Sequence, residues 1–140
     1  MLAAADCPVV SSQAEELIDA HVAEARGHEY CSNRLVFNKG AVELVVYTIE
    51  GAYYKNRLAA VDTCGNNFFR AMIGVIHGKS FTPITVGGKG QFIDKSLTYS
   101  NGKVTLSGFS CKNTDAQCCP SQPGTKFFAV DASGFKELAQ

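Results

Sequence analysis

Apolar residues recur at helical spacing only once along this chain, at Leu17, Ile18, Val22 and Ala25, with His21 on the same side. Glu16, Glu24 and Arg26 occupy the opposite side. Ser12 stands where an N-cap belongs, Glu15 three residues on completes a capping box, and Gly27 is a natural stop. The rest of the chain reads as strands. Residues 42–49 are β-branched and aromatic and end at Gly51, and 56–63 form a shorter strand before the turn Cys64-Gly-Asn-Asn67. Residues 68–76 are strongly apolar and close at Gly78. Segments 92–99 and 104–109 flank Asn101-Gly102, the strongest short hairpin signal, because both turn positions tolerate positive φ. Residues 126–130 form a last strand and 134–140 a terminal turn. Val86-Gly-Gly-Lys-Gly90 lacks the full phosphate-loop pattern, and no helix signal follows it, so it reads as a glycine-rich turn or bulge.

Short connections favour antiparallel neighbours, and an amphipathic helix needs a surface to cover. The expected fold class is therefore α+β, an N-terminal helix packed on an antiparallel β-meander of about five or six strands and stapled by disulfides. At 140 residues the chain makes one domain, 11–140, preceded by an N-terminal segment, 1–10, of an exported protein.

Charge narrows the partners. Thirteen basic residues balance thirteen acidic ones, and there is no basic stripe to neutralise a row of phosphates, which argues against nucleic acid. No apolar run reaches the ~18–20 residues of a membrane span. The start, Met1-Leu-Ala-Ala-Ala-Asp6-Cys7, is like the small-residue end of a signal peptide, although Asp6 fits a lipoprotein cleavage site poorly.

The six cysteines, Cys7, Cys31, Cys64, Cys111, Cys118 and Cys119, have no repeated metal-binding spacing and point to disulfides in an oxidising compartment. Many pairings are open to them. Vicinal Cys118 and Cys119 are expected to pair in different directions, since a ring between neighbours strains the intervening peptide. The pairing we expect joins Cys111 to one of the two, Cys31 to Cys64, and Cys7 to the remaining vicinal cysteine. No metal site and no cofactor are expected. Asp62, Asp94, Asp115 and Asp131 fall near strand ends or loops and read as solvated, and the three histidines are too scattered to form a site. Tyr53, Tyr54, Lys55 and Arg57 cluster near a turn and form a candidate contact patch, since aromatics and arginine are enriched at binding surfaces.

The C-terminal half, with Lys95-Ser-Leu-Thr-Tyr-Ser-Asn-Gly-Lys-Val-Thr-Leu106, then Asn113-Thr-Asp-Ala-Gln-Cys-Cys-Pro-Ser121, then Phe127-Phe-Ala-Val130, resembles small exported actinobacterial lipoproteins of the LppP/LprE type. The likeness spans about residues 60–130, and its specific part is the block around Cys118-Cys119-Pro120. Ala116, where a proline is usual, and the extra Cys111 depart from the pattern. The resemblance implies export and an envelope location and assigns no catalytic residue. Together these readings lead to a non-catalytic periplasmic or secreted protein that binds a protein or cell-envelope partner, in an inhibitor or immunity-like role. The competing reading is a thiol–disulfide redox protein using Cys118 and Cys119; it requires labile thiols where the first requires resistant bridges.

Overall fold

The computed structural model describes residues 7–51, 68–88, 92–110, 121–131 and 133–139. The helix α1 (Ser12–Ala25) forms where its periodicity predicts, but Ser11, not Ser12, caps it, accepting the Ala14 N–H at 3.1 Å. Glu15 then lies one place too far along to close a capping box. Glu43, distant in sequence, closes it: its carboxylate accepts the Ser11 backbone N–H at 2.8 Å and the Ser11 hydroxyl at 2.5 Å. Replacing Glu43 with alanine is expected to lower stability by about 1–2 kcal/mol, as loss of a charge-assisted cap does. An unchanged denaturation midpoint would show that the helix start is held by something else. At the other end Arg26, at φ 58°, takes the left-handed position, and the Gly27 N–H bonds back to the Val22 carbonyl at 3.2 Å.

Ten strands follow among the described residues: β1 (His28–Glu29), β2 (Leu35–Lys39), β3 (Val42–Glu50), β4 (Phe68–Ile76), β5 (Lys79–Ser80), β6 (Ile84–Gly88), β7 (Phe92–Ser100), β8 (Lys103–Ser110), β9 (Gln122–Asp131) and β10 (Gly134–Leu138). Strands β1 and β2 lie along one edge of β3, interrupted by a 3-10 turn at Cys31–Asn33, while β5 and β6 lie along the far edge of β4. The remaining four make a second sheet in the order β10-β9-β8-β7, and every pairing is antiparallel.

The expectation of one meander under a helix is corrected here to three layers. Val45, Tyr47 and Ile49 of β3 pack with Ala71 and Ile73 of β4 against Ala14 and Ile18 of α1. Leu44, Val46 and Met72 point the other way and pack on Val86, Phe92, Val104, Leu106 and Phe128. A strand apolar on both faces needs cover on both, and a single helix covers one. Residues 134–138, expected as a turn, form edge strand β10, whose Phe135 meets Phe81 with ring centroids 5.9 Å apart.

Strand β7 begins beside β6, where a Cβ at Gly87 would stand 2.2 Å from the Phe92 carbonyl oxygen. It ends beside β2, where Tyr99 meets Phe37 at 5.7 Å. It therefore crosses the first sheet from edge to edge, as in orthogonal sheet packing. The registers also sort the connections by end. Gly40, His77 with Gly78, and Asn101 with Gly102 make tight turns at one end, all at positive φ. Gly51, Phe68, Gly88, Phe92, Ser110 and Ser121, which deliver and receive the other connections between strands, lie at the opposite end.

Candidate functional site

Two arginines organise that opposite half, one in each core layer. Arg70 of β4 lies on the face turned to the second sheet and is 3% exposed; Asp94 of β7 is 2% exposed. Arg70 Nε donates to Asp94 Oδ1 at 3.2 Å, Nη1 to the Thr48 hydroxyl at 2.6 Å and the Asn33 carbonyl at 3.4 Å, and Nη2 to the Asp94 carbonyl at 3.2 Å. One guanidinium thus ties together β3, β4, β7 and the turn before β2. Burial pushes the Asp94 carboxyl upward while the Arg70 charge pulls it back. Asp94 Oδ2 is buried and has no hydrogen-bond partner among the described residues.

Two β-bulges flank this pair. Asp94 faces Gly108 and Ser96 faces Ser107, leaving Lys95 as the extra residue; Arg70 faces Gly87 and Ala71 faces Thr85, leaving Val86. A bulge bends its strand and re-aims the side chains beside it. In β7 the inward set is Phe92 and Asp94 before the bulge, and Leu97 and Tyr99 after it. The aspartate expected to be solvated is therefore in the core. The signal in the sequence is that change of phase, from even to odd positions at Lys95.

Arg34 does the same work in the helix layer. Its Nε and Nη2 donate to Glu29 at 2.6 and 2.7 Å, its Nη1 and Nη2 to Glu15 at 3.0 and 2.7 Å, and Nη1 also to the Pro8 carbonyl at 3.1 Å. These bonds account for all five N–H donors. Glu29 leads in holding the guanidinium charged, with Glu15 adding to it. Glu15, released from the helix cap, is free to make this contact. The adjacent disulfide joins Cys7 to Cys31, with Cα atoms 5.1 Å apart. The expected partnership of Cys31 with Cys64, and of Cys7 with a vicinal cysteine, is corrected: the Arg34 bond to Pro8 folds the N-terminal arm back onto the turn that carries Cys31. The disulfide occupies the Cys7 sulfur that lipidation would use.

Under α1, the hydroxyl of the fully buried Tyr47 and His21 Nδ1 are hydrogen-bonded at 2.6 Å. Burial raises the Tyr47 phenol, keeping its proton, and lowers His21 below its ordinary 6.5, with Glu24 opposing. A depressed histidine contributes stability that is present above 6.5 and lost as pH falls through the folded value. As pH falls below 6.5 the wild type is therefore expected to lose stability relative to His21→Gln. Parallel stability–pH curves for the two would refute this.

Of the residues singled out by sequence, Cys7 and Cys31 are brought together. Tyr53, Tyr54, Lys55, Arg57, Cys64, Cys111, Cys118 and Cys119 lie outside the described residues. Arg34, Arg70 and Glu29 were not signalled by any motif, and Glu15 was signalled only as a capping-box residue. No family model, curated protein or solved structure matches this chain. Among the described residues no helix is long and apolar enough to cross a membrane, and no group of three histidine, cysteine or acidic side chains is placed to hold a metal ion.

Proposed function

We propose that this chain is a non-catalytic protein of the periplasm or extracellular space that binds a protein or cell-envelope partner, in the manner of an inhibitor or immunity protein. The observation that supports this reading is the sorting of its connections. Tight turns occupy one end, and the anchors Gly51, Phe68, Ser110 and Ser121 of the connections 52–67 and 111–120 converge at the other. Binding residues concentrate on connections held by a rigid frame. The frame beneath this end is tied by the Cys7 to Cys31 bridge and by the ion pairs of Arg34 and Arg70. A rigid frame lowers the ordering cost of association. Tyr53, Tyr54, Lys55 and Arg57, in the first of these connections, are the contact residues this reading proposes.

The test places a photo-cross-linking side chain at Tyr54 in one variant and at Asn101, in a tight turn at the far end, in another, and exposes both to envelope extracts. Specific adducts from position 54 that disappear with Arg57→Ala are expected, with none from position 101. Equal labelling from both ends, or no adduct from either, would defeat the reading.

A further inference from the structure

At the tight-turn end, away from the connections 52–67 and 111–120, an open cavity of about 370 Å³ lies between the two sheets. Both sheets give it apolar walls: Ile76 at the end of β4, Phe81 just after β5, Tyr99 of β7 and Val130 of β9. Phe81 is 8% exposed and closes the floor. Its ring packs on Phe135 over Gly74, where a Cβ would stand 2.9 Å from the Phe135 ring. Sheet layers normally interdigitate at close packing, so apolar wall left open between them is surface that the apolar body of a guest can cover. The volume falls in the range of about 300–1,000 Å³ typical of small-molecule sites.

The mouth carries one charge of each sign. Lys79 and Asp131 both line the cavity and both are exposed, so a guest can reach them. They are not paired with each other: among the described residues Lys79 makes no ion pair, and Asp131 Oδ1 accepts the Ser133 N–H at 2.8 Å and the Ser133 hydroxyl at 2.6 Å. Those bonds fix the carboxylate and leave it acceptor capacity to spare. Lys136 acts on the same carboxylate from beyond ion-pair distance and does not line the cavity. His77, held in the turn at φ 51°, can donate or accept and so selects neither sign. A guest with a single negative head would meet Asp131, and one with a single positive head would meet Lys79. A head that bears both charges, joined to an apolar body, complements the mouth and the walls together.

We propose that this cavity binds a free α-amino acid with an apolar side chain, its carboxylate toward Lys79, its ammonium toward Asp131 and its side chain among Ile76, Phe81, Tyr99 and Val130. This goes beyond the macromolecular reading above and can fail independently of it, because it concerns a small ligand at the other end of the molecule.

The test is a titration of the methyl-labelled protein followed by NMR, with L-phenylalanine and L-leucine as probes. Phenylpropionate, which lacks the amine, phenethylamine, which lacks the carboxylate, and glycine, which lacks the apolar body, serve as controls. At least one of the two amino acids is expected to shift the Ile76 and Val130 methyl signals and the Lys79 amide with millimolar affinity. Glycine is expected to shift none of them, and each one-charge analogue to bind about threefold more weakly or worse. Lys79→Met is expected to weaken the amino acid about fivefold without weakening phenethylamine, and Asp131→Asn to weaken it similarly without weakening phenylpropionate. Both side chains are exposed, and asparagine keeps an acceptor for Ser133, so both variants should retain the folded spectrum. No saturable shift with either amino acid would overturn the proposal. So would a one-charge analogue that binds as tightly as the amino acids, or amino-acid binding left unchanged by either variant.

Discussion

Arg70→Met will cost about 3–5 kcal/mol of stability, the usual effect of removing one member of a buried ion pair. The loss is large against a total of about 5–15 kcal/mol for a domain. Arg70 donates to the Asp94 side chain and is its charge partner, so its removal strands a carboxylate that is 2% exposed. It also frees the Thr48 hydroxyl and the Asn33 and Asp94 carbonyls. The double replacement Arg70→Met with Asp94→Leu should recover most of the loss, because an apolar pair leaves no charge to desolvate. The pH profile gives an independent check. Burial already raises Asp94 above its ordinary 3.8, and the Arg70 charge is the leading influence that pulls it down. A raised carboxyl contributes stability that is fully present below 3.8 and lost as pH rises through the folded value. Arg70→Met should therefore regain stability on acidification relative to the wild type. Urea midpoints at constant slope measure all of this. A shift under about 1 kcal/mol in Arg70→Met would show the pair to be hydrated and incidental. A double variant no better than the single would place the cost in packing instead of charge.

Removing the bridge with Cys7→Ser and Cys31→Ser will cost about 3.5 kcal/mol, the chain-entropy value for a loop closed across a separation of 24 residues. The loss should begin locally. The arm before α1 is held by the bridge, by the Pro8 bond to Arg34 and by Val10 against the helix-layer core. Hydrogen exchange should therefore rise first at residues 9–11 and at the 3-10 turn, while β3 and β4 stay protected. Protection lost equally throughout, or a midpoint unmoved, would show that the bridge does not anchor this corner.

The parts of the fold legible in the sequence are those whose energetics are local. Leu17, Ile18, Val22 and Ala25 mark α1 by spacing alone, and Asn101-Gly102 marks its hairpin because both residues accept positive φ. Strands β3, β4, β7 and β8 fall within a residue or so of the segments read from their β-branched and aromatic content. Strands β2 and β6 escaped notice because neither is distinctive by itself. The first is short and half-buried, the second follows Pro83 and ends in two glycines, and each is a strand because β3 or β4 offers it an edge.

Composition and pattern by themselves determined an α+β fold with an N-terminal helix and a continuous apolar strand at 42–49. Tertiary structure alone decided what lay against them. Nothing near Ser11 identifies Glu43 as its cap, 32 residues away, and nothing near Cys7 selects Cys31 over four other cysteines. Arg70 and Asp94 each look like ordinary charged residues in a strand until the bulge at Lys95 puts Asp94 out of phase with Leu97 and Tyr99 and the stacking of the sheets brings it to Arg70. Local pattern reports what a residue prefers to be beside, burial or water, helix or strand. Which partner it finds is set by chain pairing across long separations, and in this protein the buried charges, the bridge and the candidate site all depend on that.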